Sequence, residues 1–244
     1  MHKRRASEPP EQPTASCANC ALPELCLRAG LSPEDVKHLD KLVYARRSVS
    51  RGKDLYRSGD PFVAIYAIRA GFFKTDLVLK DGRSQIMGFH MPGEVMGLDG
   101  IGAGAYTCNT VAIDDAEVCS IPLSRVEEFA HDAKDLAHRL HRLMSAEIVR
   151  DQRVMVLLGG KVAEARLAAF LADLSRRFAA RGRVASDFDL PMTREEIGSF
   201  LGLTLETVSR MFSKLHAEKL IEVHQRHIRI LDTAALERLV DQAL

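Results

Sequence analysis

With 244 residues the chain is long enough for two domains, and its 46% hydrophobic residues supply a sizeable core. The 34 basic and 33 acidic side chains leave a net charge of +1, which neither points to nucleic acid nor excludes a local basic face. There is no run of about 18 apolar residues to span a membrane.

Residues 1–16 carry basic side chains with no apolar stretch behind them, unlike a secretory signal, and their Pro, Glu and Ser content reads as a disordered tail. The expected location is therefore cytoplasmic, where thiols stay reduced. The five cysteines are then metal ligands, redox groups or buried thiols rather than a disulfide framework. Cys17, Cys20 and Cys26 lie within ten residues, and Cys119 is far away on a predicted strand. Three clustered thiols and a remote one match four thiolates for a cubane cluster or for tetrahedral zinc. Zinc sites favour paired CxxC units, and the second pair is absent here, which tips the reading toward iron–sulfur and leaves zinc or a reversible disulfide open. Cys108 reads as a small buried hydrophobe in a strand.

Ser32 as N-cap and Pro33 at the first helical position open a short helix carrying Val36, Leu39 and Leu42. From about residue 46 to 122, short apolar runs at 62–69, 72–79 and 84–90 alternate with glycine-containing turns, and Asp81-Gly82 is a hairpin signal. Many short strands predict a small antiparallel barrel or sandwich. Ser124 and Glu127 form a capping-box pattern.

A longer helix follows, from about 133 to 158, ended by a Gly159-Gly160 hinge. In it Ala137, His141, Met144, Ile148, Asp151, Met155 and Leu158 recur at alternating spacings of four and three, a coiled-coil seam. A second stripe, Leu136, Leu140, Leu143 and Val154, suits packing on the chain's own barrel. Asp151 meets its own copy in a parallel homodimer, and two carboxylates at close range repel. The expectation is that Asp151 keeps the ligand-free chain monomeric. The alternative is a rim aspartate splayed into water.

Residues 161–180 form another amphipathic helix, closed by Gly182. The segment 187–244 alternates short helices with a hairpin around 221–231. Thr193 and Glu196 form a capping box for a helix through Leu201. Gly202 makes a tight turn, and Thr204 caps a second helix to about Glu218. That is the pattern of a helix-turn-helix. Glu206, Ser209 and Arg210 share one face near the second helix's N-terminus. Arginine suits guanine O6 and N7, glutamate suits cytosine N4, and serine is small enough to sit beside a thymine methyl. Val208, Met211 and Leu215 are assigned to the domain core, and Lys214, Lys219 and Arg226 to phosphates. An ordinary helical hairpin with a solvated charged face is the competing explanation of the same spacing.

These stretches together resemble the fumarate and nitrate reduction (FNR) branch of the cyclic-AMP receptor protein (Crp/Fnr) superfamily, from about Cys17 to the last helix. The resemblance is carried by Cys17-Ala-Asn-Cys20 with Cys26, Ile65-Tyr-Ala-Ile-Arg-Ala-Gly71, Gly88-Phe-His90, Met144-Ser-Ala-Glu-Ile148, Arg166-Leu-Ala-Ala-Phe170, Leu174-Ser-Arg-Arg-Phe178 and Leu201-Gly-Leu-Thr-Leu-Glu-Thr-Val-Ser-Arg210.

The resemblance implies an α+β chain of four parts: a tail and cysteine-rich segment at 1–30, an antiparallel β-roll sensor at 31–132, a dimerisation helix and hinge at 133–160, and a winged helix-turn-helix at 161–244. It also implies a [4Fe-4S] cluster on Cys17, Cys20, Cys26 and Cys119 that promotes dimerisation and is destroyed by oxygen. Met144, Ile148, Asp151 and Met155 would form the dimer seam. Glu206, Ser209 and Arg210 would read inverted TTGAT-like half-sites at anaerobic-metabolism promoters, with RNA polymerase as partner. Arg83 stands where the best-known members have an acid, and Asn19 and Ala21 also depart from their pattern, which bears on the polymerase contact and on cluster reactivity.

Gly93-Glu94 matches the nucleotide-binding branch, but the segment Tyr106-Thr-Cys-Asn-Thr110 has no arginine for a phosphate, so no cyclic nucleotide is expected. No HExxH, phosphate loop or GxSxG is present, and His90 reads as structural, so no enzymatic activity is expected.

Overall fold

The computed structural model describes residues 17, 20, 26–43, 45–79, 82–122, 124, 134–159 and 162–241. The N-terminal tail, Glu127 of the expected capping box, Asp81 of the hairpin turn and Gly160 of the hinge lie outside the described residues. Contacts divide the chain into two units, Met1–Lys74 with Phe89–Met144, and Thr75–Gly88 with Ser145–Leu244.

The first unit opens with α1 (Pro33–Leu42), where Ser32 Oγ accepts from Asp35 N and proline occupies the first turn, as expected. In chain order the strands are β1 (Ala45–Val49), β2 (Asp54–Tyr56), β3 (Ala64–Ala70), β4 (Phe73–Val78), β5 (Ser84–His90), β6 (Val95–Met96), β7 (Asn109–Ala112) and β8 (Ala116–Pro122), of which β4 and β5 fall mostly in the second unit's Thr75–Gly88 segment. They form two sheets, ordered β1-β8-β3-β6 and β2-β7-β4-β5. A short helix, α2 (Gly100–Ala103), which no sequence signal marked, lies between β6 and β7.

Strand parity sorts the core. On β3, Ala64, Tyr66 and Ile68 face one cluster with Phe73 and Val118, while Ile65 and Ala67 face another with Leu27, Leu39 and Val43. On β8 the same alternation puts Val118 in the first cluster and Cys119 and Ile121 beside the second. Gly71, at φ +80°, turns β3 into β4 where an added Cβ would meet Ala116 Cβ at 2.6 Å.

The long helix α3 (Lys134–Gly159) is continuous across the division. In the second unit, α4 (Ala163–Ala179) buries Leu167, Leu171, Leu174 and Phe178 on one face, and Gly182 at φ +68° follows it. Then come β9 (Asp187–Asp189), α5 (Arg194–Leu201), α6 (Leu205–Ala217), β10 (Ile221–His224), β11 (His227–Ile230) and α7 (Thr233–Asp241). The three strands form a sheet ordered β10-β11-β9, so the wing has one strand more than the expected hairpin. Among the described residues no helix is long and apolar enough to cross a membrane.

Candidate cysteine centre, reading helix and seam

The cysteine segment is tied to the roll by packing and by charge. Leu27 is buried with Leu39, Val43 and Ile121, and Cys17, Cys26 and Cys119 pack against that cluster. Cys26 starts a tight turn, its carbonyl accepting from Ala29 N at 3.0 Å. Arg28 Nη1 donates to the Cys17 carbonyl at 2.8 Å, and Cys17 N donates to Asp40 of α1. From α3, Arg139 donates Nε and Nη2 to the Cys26 carbonyl at 3.2 and 2.9 Å.

Cys119 sits at the middle of its sheet, opposite Arg46 of β1 and Ala67 of β3. That register brings it to a cleft of about 380 Å³, open mouth included, which is also lined by Cys17, Cys20, Cys26, Arg46 and Arg69. All four cysteines singled out from sequence therefore share one cavity. Cys108 does not: it precedes β7, half-buried, with Sγ 3.7 Å from Asp99 Oδ2. It packs against the roll core as a small hydrophobe would, but lies one residue before the strand and is only partly buried.

The cleft is electrostatically mixed. Burial pushes the Cys17 thiol well up, helped by Cys26 and Asp40. Burial likewise pushes Cys26 up to about 11. Cys119 is raised by burial and by Cys20, against Arg46 and Arg69, which favour its thiolate. Those two arginines are themselves held by Glu117, at 3.6 and 3.4 Å. Among the described residues no three His, Cys, Asp or Glu side chains close around one point as a single metal ion requires. A tetrahedral zinc needs four sulfurs about 2.3 Å from one ion. In a cubane each cysteine binds a different iron, and four thiols lining one cleft supply that number of donors. Arg28, Asp40, Arg46, Arg69 and Arg139 were not foreseen. A surface-type arginine carries no periodic cue, and its neighbours are set by strand register and helix packing.

In the second unit the helix-turn-helix is built as its caps predict. Thr193 Oγ1 accepts from Glu196 N at 3.1 Å and Glu196 returns the bond to Thr193 N at 2.7 Å. Gly202 takes φ 64°, and Thr204 Oγ1 accepts from Thr207 N at 3.2 Å. Glu206 and Arg210 are exposed and Ser209 is half-exposed, on the first turns of α6. Glu206 is held below the usual carboxylate range by its own backbone N–H and by Thr204, with Arg210 adding to the effect. Arg210 Nη2 donates to Thr207 Oγ1 at 3.3 Å.

Two assignments change. Val208 and Leu215 enter the core as expected, but the third core residue of α6 is Phe212, stacked under Arg194 at 4.4 Å, while Met211 is only half-buried. Lys214, expected at a phosphate, is ion-paired with buried Glu164 of α4. Arg226 bonds the Pro191 carbonyl at 3.4 Å from an exposed position.

Along α3, Leu140 and Leu143 of the second stripe pack on the cysteine-side core, and Val154 is half-buried. The Leu136 side chain lies outside the described residues. On the seam, Ile148 and Met155 are 58% and 63% exposed, Asp151 is exposed between them, and Met144 is half-buried. Glu94 lies 4.0 Å from buried His90 and accepts from Met91 N at 3.2 Å, a structural use for both.

A three-stranded wing with two capped helices, joined in one chain to an antiparallel roll, is the architecture of a DNA-binding regulator. Residues 165–239 match the Crp-like helix-turn-helix domain, and residues 46–132 match the cyclic nucleotide-binding domain. The chain is 44% identical over 228 residues to the transcriptional regulatory protein btr of Bordetella pertussis, covering 93% of this chain and 94% of that protein. It is 42% identical to the transcriptional activator protein anr of Pseudomonas aeruginosa, over 92% of both chains. It is 37% identical to the fumarate and nitrate reduction regulatory protein of Escherichia coli, over 91% of this chain and 89% of that one. The structure of FixK2 from Bradyrhizobium japonicum superposes with a TM-score of 0.74 at 33% identity, covering 80% of this chain and 96% of that chain. The chain belongs to the FNR branch of the Crp/Fnr family, a family of transcription regulators and not of enzymes.

Proposed function

We propose that this regulator responds to oxygen through a [4Fe-4S] cluster on Cys17, Cys20, Cys26 and Cys119, and that the loaded chain dimerises through α3 to bind an inverted-repeat DNA site. One observation carries the reading: the remote Cys119 and the three N-terminal cysteines line a single cleft. When bound, the cluster supplies an oxygen-labile centre. The residues of the chain do the rest. Arg46 and Arg69 favour the thiolate of Cys119. Leu27, Arg28 and Asp40 fix the cysteine segment against the roll.

The roll acts as sensor, α3 as the dimer element through Met144, Ile148, Asp151 and Met155, and residues 161–244 as the reader. Glu206, Ser209 and Arg210 meet base edges from the exposed first turns of α6, and two half-sites on one DNA face require a symmetric pair of chains. RNA polymerase is the partner at the promoter, met on a surface where Arg83 alters the charge. A cyclic nucleotide is not the ligand. The segment 106–110 offers no cation to a phosphate, and Tyr56 stacks on Tyr106 at 3.9 Å inside the roll core.

The test is an anaerobic preparation analysed for iron, sulfide and visible absorption, followed by gel shifts on a palindromic site with and without oxygen. Iron and sulfide near four each per chain, with oxygen-sensitive binding, supports the reading. A colourless, zinc-loaded or iron-free protein that still binds as a dimer rejects it.

A further inference from the structure

The function proposed above needs a physical link from the cysteine cleft to α3. Arg139 provides one. Its guanidinium grips the Cys26 carbonyl through Nε and Nη2, at 3.2 and 2.9 Å. A fork of two donors on one acceptor fixes direction as well as distance, which a lysine ammonium cannot do. Arg139 is half-buried, and the next turn of the helix sets Leu140 and Leu143 against the core on which Cys17, Cys26 and Cys119 pack. Side-chain rotation alone moves the Cys26 sulfur only on a circle about its Cα–Cβ bond, so any further adjustment toward a ligand position shifts the Cys26 backbone, whose carbonyl Arg139 holds. The same carbonyl closes the Cys26–Ala29 turn at 3.0 Å, so the peptide cannot swing without changing both bonds.

We infer that Arg139 is the positioning residue that transmits occupancy of the cysteine centre to the dimerisation helix. The inference rests on the proposed cofactor and adds how its presence is read. Ile148 lies nine residues further along the same unbroken helix, about 13 Å at 1.5 Å per residue. A rigid helix carries a tilt or rotation at Arg139 to that stripe. Leu140 and Leu143 serve as the apolar pivot, and Arg139 as the polar grip that sets the angle. A helix held only by leucines slides at little cost, because apolar contacts are non-directional.

The experiment uses the full chain, loaded anaerobically and also metal-free, as the parent, Arg139→Met and Arg139→Lys. Iron and sulfide per chain and the monomer–dimer Kd by sedimentation are measured on the same samples. The parent's Kd falls on loading. Arg139→Met, which keeps the stem's bulk, is expected to bind the same iron and sulfide while losing on the order of tenfold of that fall, the scale of a hydrogen bond to a charged group. Arg139→Lys retains the charge without the fork and is expected to recover only part of the loss. The inference is overturned if Arg139→Met keeps the parent's full response, if lysine restores it completely, or if both variants fail to hold iron, since the residue then retains the centre rather than reporting on it. A parent that holds no iron removes the cofactor reading and this inference together, whereas an iron-loaded parent with an undiminished Arg139→Met response removes only the inference.

Discussion

Removing the Asp151 carboxylate is expected to let the metal-free chain dimerise. In the single chain Asp151 is exposed between Ile148 and Met155, themselves 58% and 63% exposed, so the stripe has apolar surface to bury on either side of one charge. In a symmetric pair whose helix axes lie about 8 Å apart, Asp151 carboxylates that point into the seam would be separated by no more than about that distance. At an effective dielectric of about 20 their repulsion is roughly 2 kcal/mol, about a thirtyfold weakening of the dimer. Asp151→Ala removes that term and the desolvation of both carboxylates, so its metal-free Kd should fall by about thirtyfold or more.

Dimerisation through this seam also depends on pH. Although Asp151 is exposed, partial desolvation beside the helix surface raises its carboxyl above the usual aspartate value, with Arg150 opposing. A raised carboxyl is charged, and repels, above its pKa and takes up a proton as pH falls through it. Dimerisation of the metal-free parent should therefore tighten as pH falls toward the raised Asp151 pKa, and Asp151→Ala should flatten that trend. Sedimentation equilibrium over a concentration series reads both. If Asp151→Ala is as monomeric as the parent at pH 7, the face-to-face geometry is wrong.

Serine in place of Cys17, Cys20, Cys26 or Cys119 should abolish the visible chromophore of an anaerobic preparation, and serine at Cys108 should leave it, as absorption and iron analysis will read. Arg210→Ala should cost about 1–3 kcal/mol on the cognate site and relax base preference there, whereas Lys219→Ala should weaken all sequences and flatten the salt dependence, both measurable by gel shift. Gly198→Ala places a Cβ 2.7 Å from the Leu203 carbonyl in the helix-turn-helix and should destabilise the fold by about 1–3 kcal/mol in thermal unfolding. Gly159→Ala, with nothing within 4 Å of an added Cβ, should be neutral or stabilise by up to about 1 kcal/mol.

Local elements were legible wherever their signals sit within a few residues of the structure they specify. The Thr193–Glu196 box, the Gly202 turn and the Thr204 cap predicted α5 and α6 closely, and Ser84–His90 forms the strand its pattern indicates. The third strand of the wing, β9, was missed because Asp-Phe-Asp is three residues long with a single apolar side chain, and it becomes a strand only by pairing with β11. Phe212 rather than Met211 fills the core because burial on α6 depends on which side of the helix meets α5 and the wing, a choice open to any two adjacent apolar residues. Lys214 looks like a phosphate ligand in isolation, and only the packing of α4 against α6 gives it Glu164.

The amino-acid order by itself determined the chemistry available: four thiols of the right kind, a capped reading helix with Glu206, Ser209 and Arg210 on one face, and a helix with a charged break in an apolar seam. Those are properties of residue type and short-range periodicity. The tertiary structure decided which groups meet. Cys119 reaches the N-terminal cysteines because β8 is registered between β1 and β3 with Cys119 on the side of Leu27, and a one-residue slip turns it to the opposite face. Arg139 reaches Cys26 because α3 packs its leucines on that same core. Such contacts join residues that are far apart in the chain, and no local pattern encodes them.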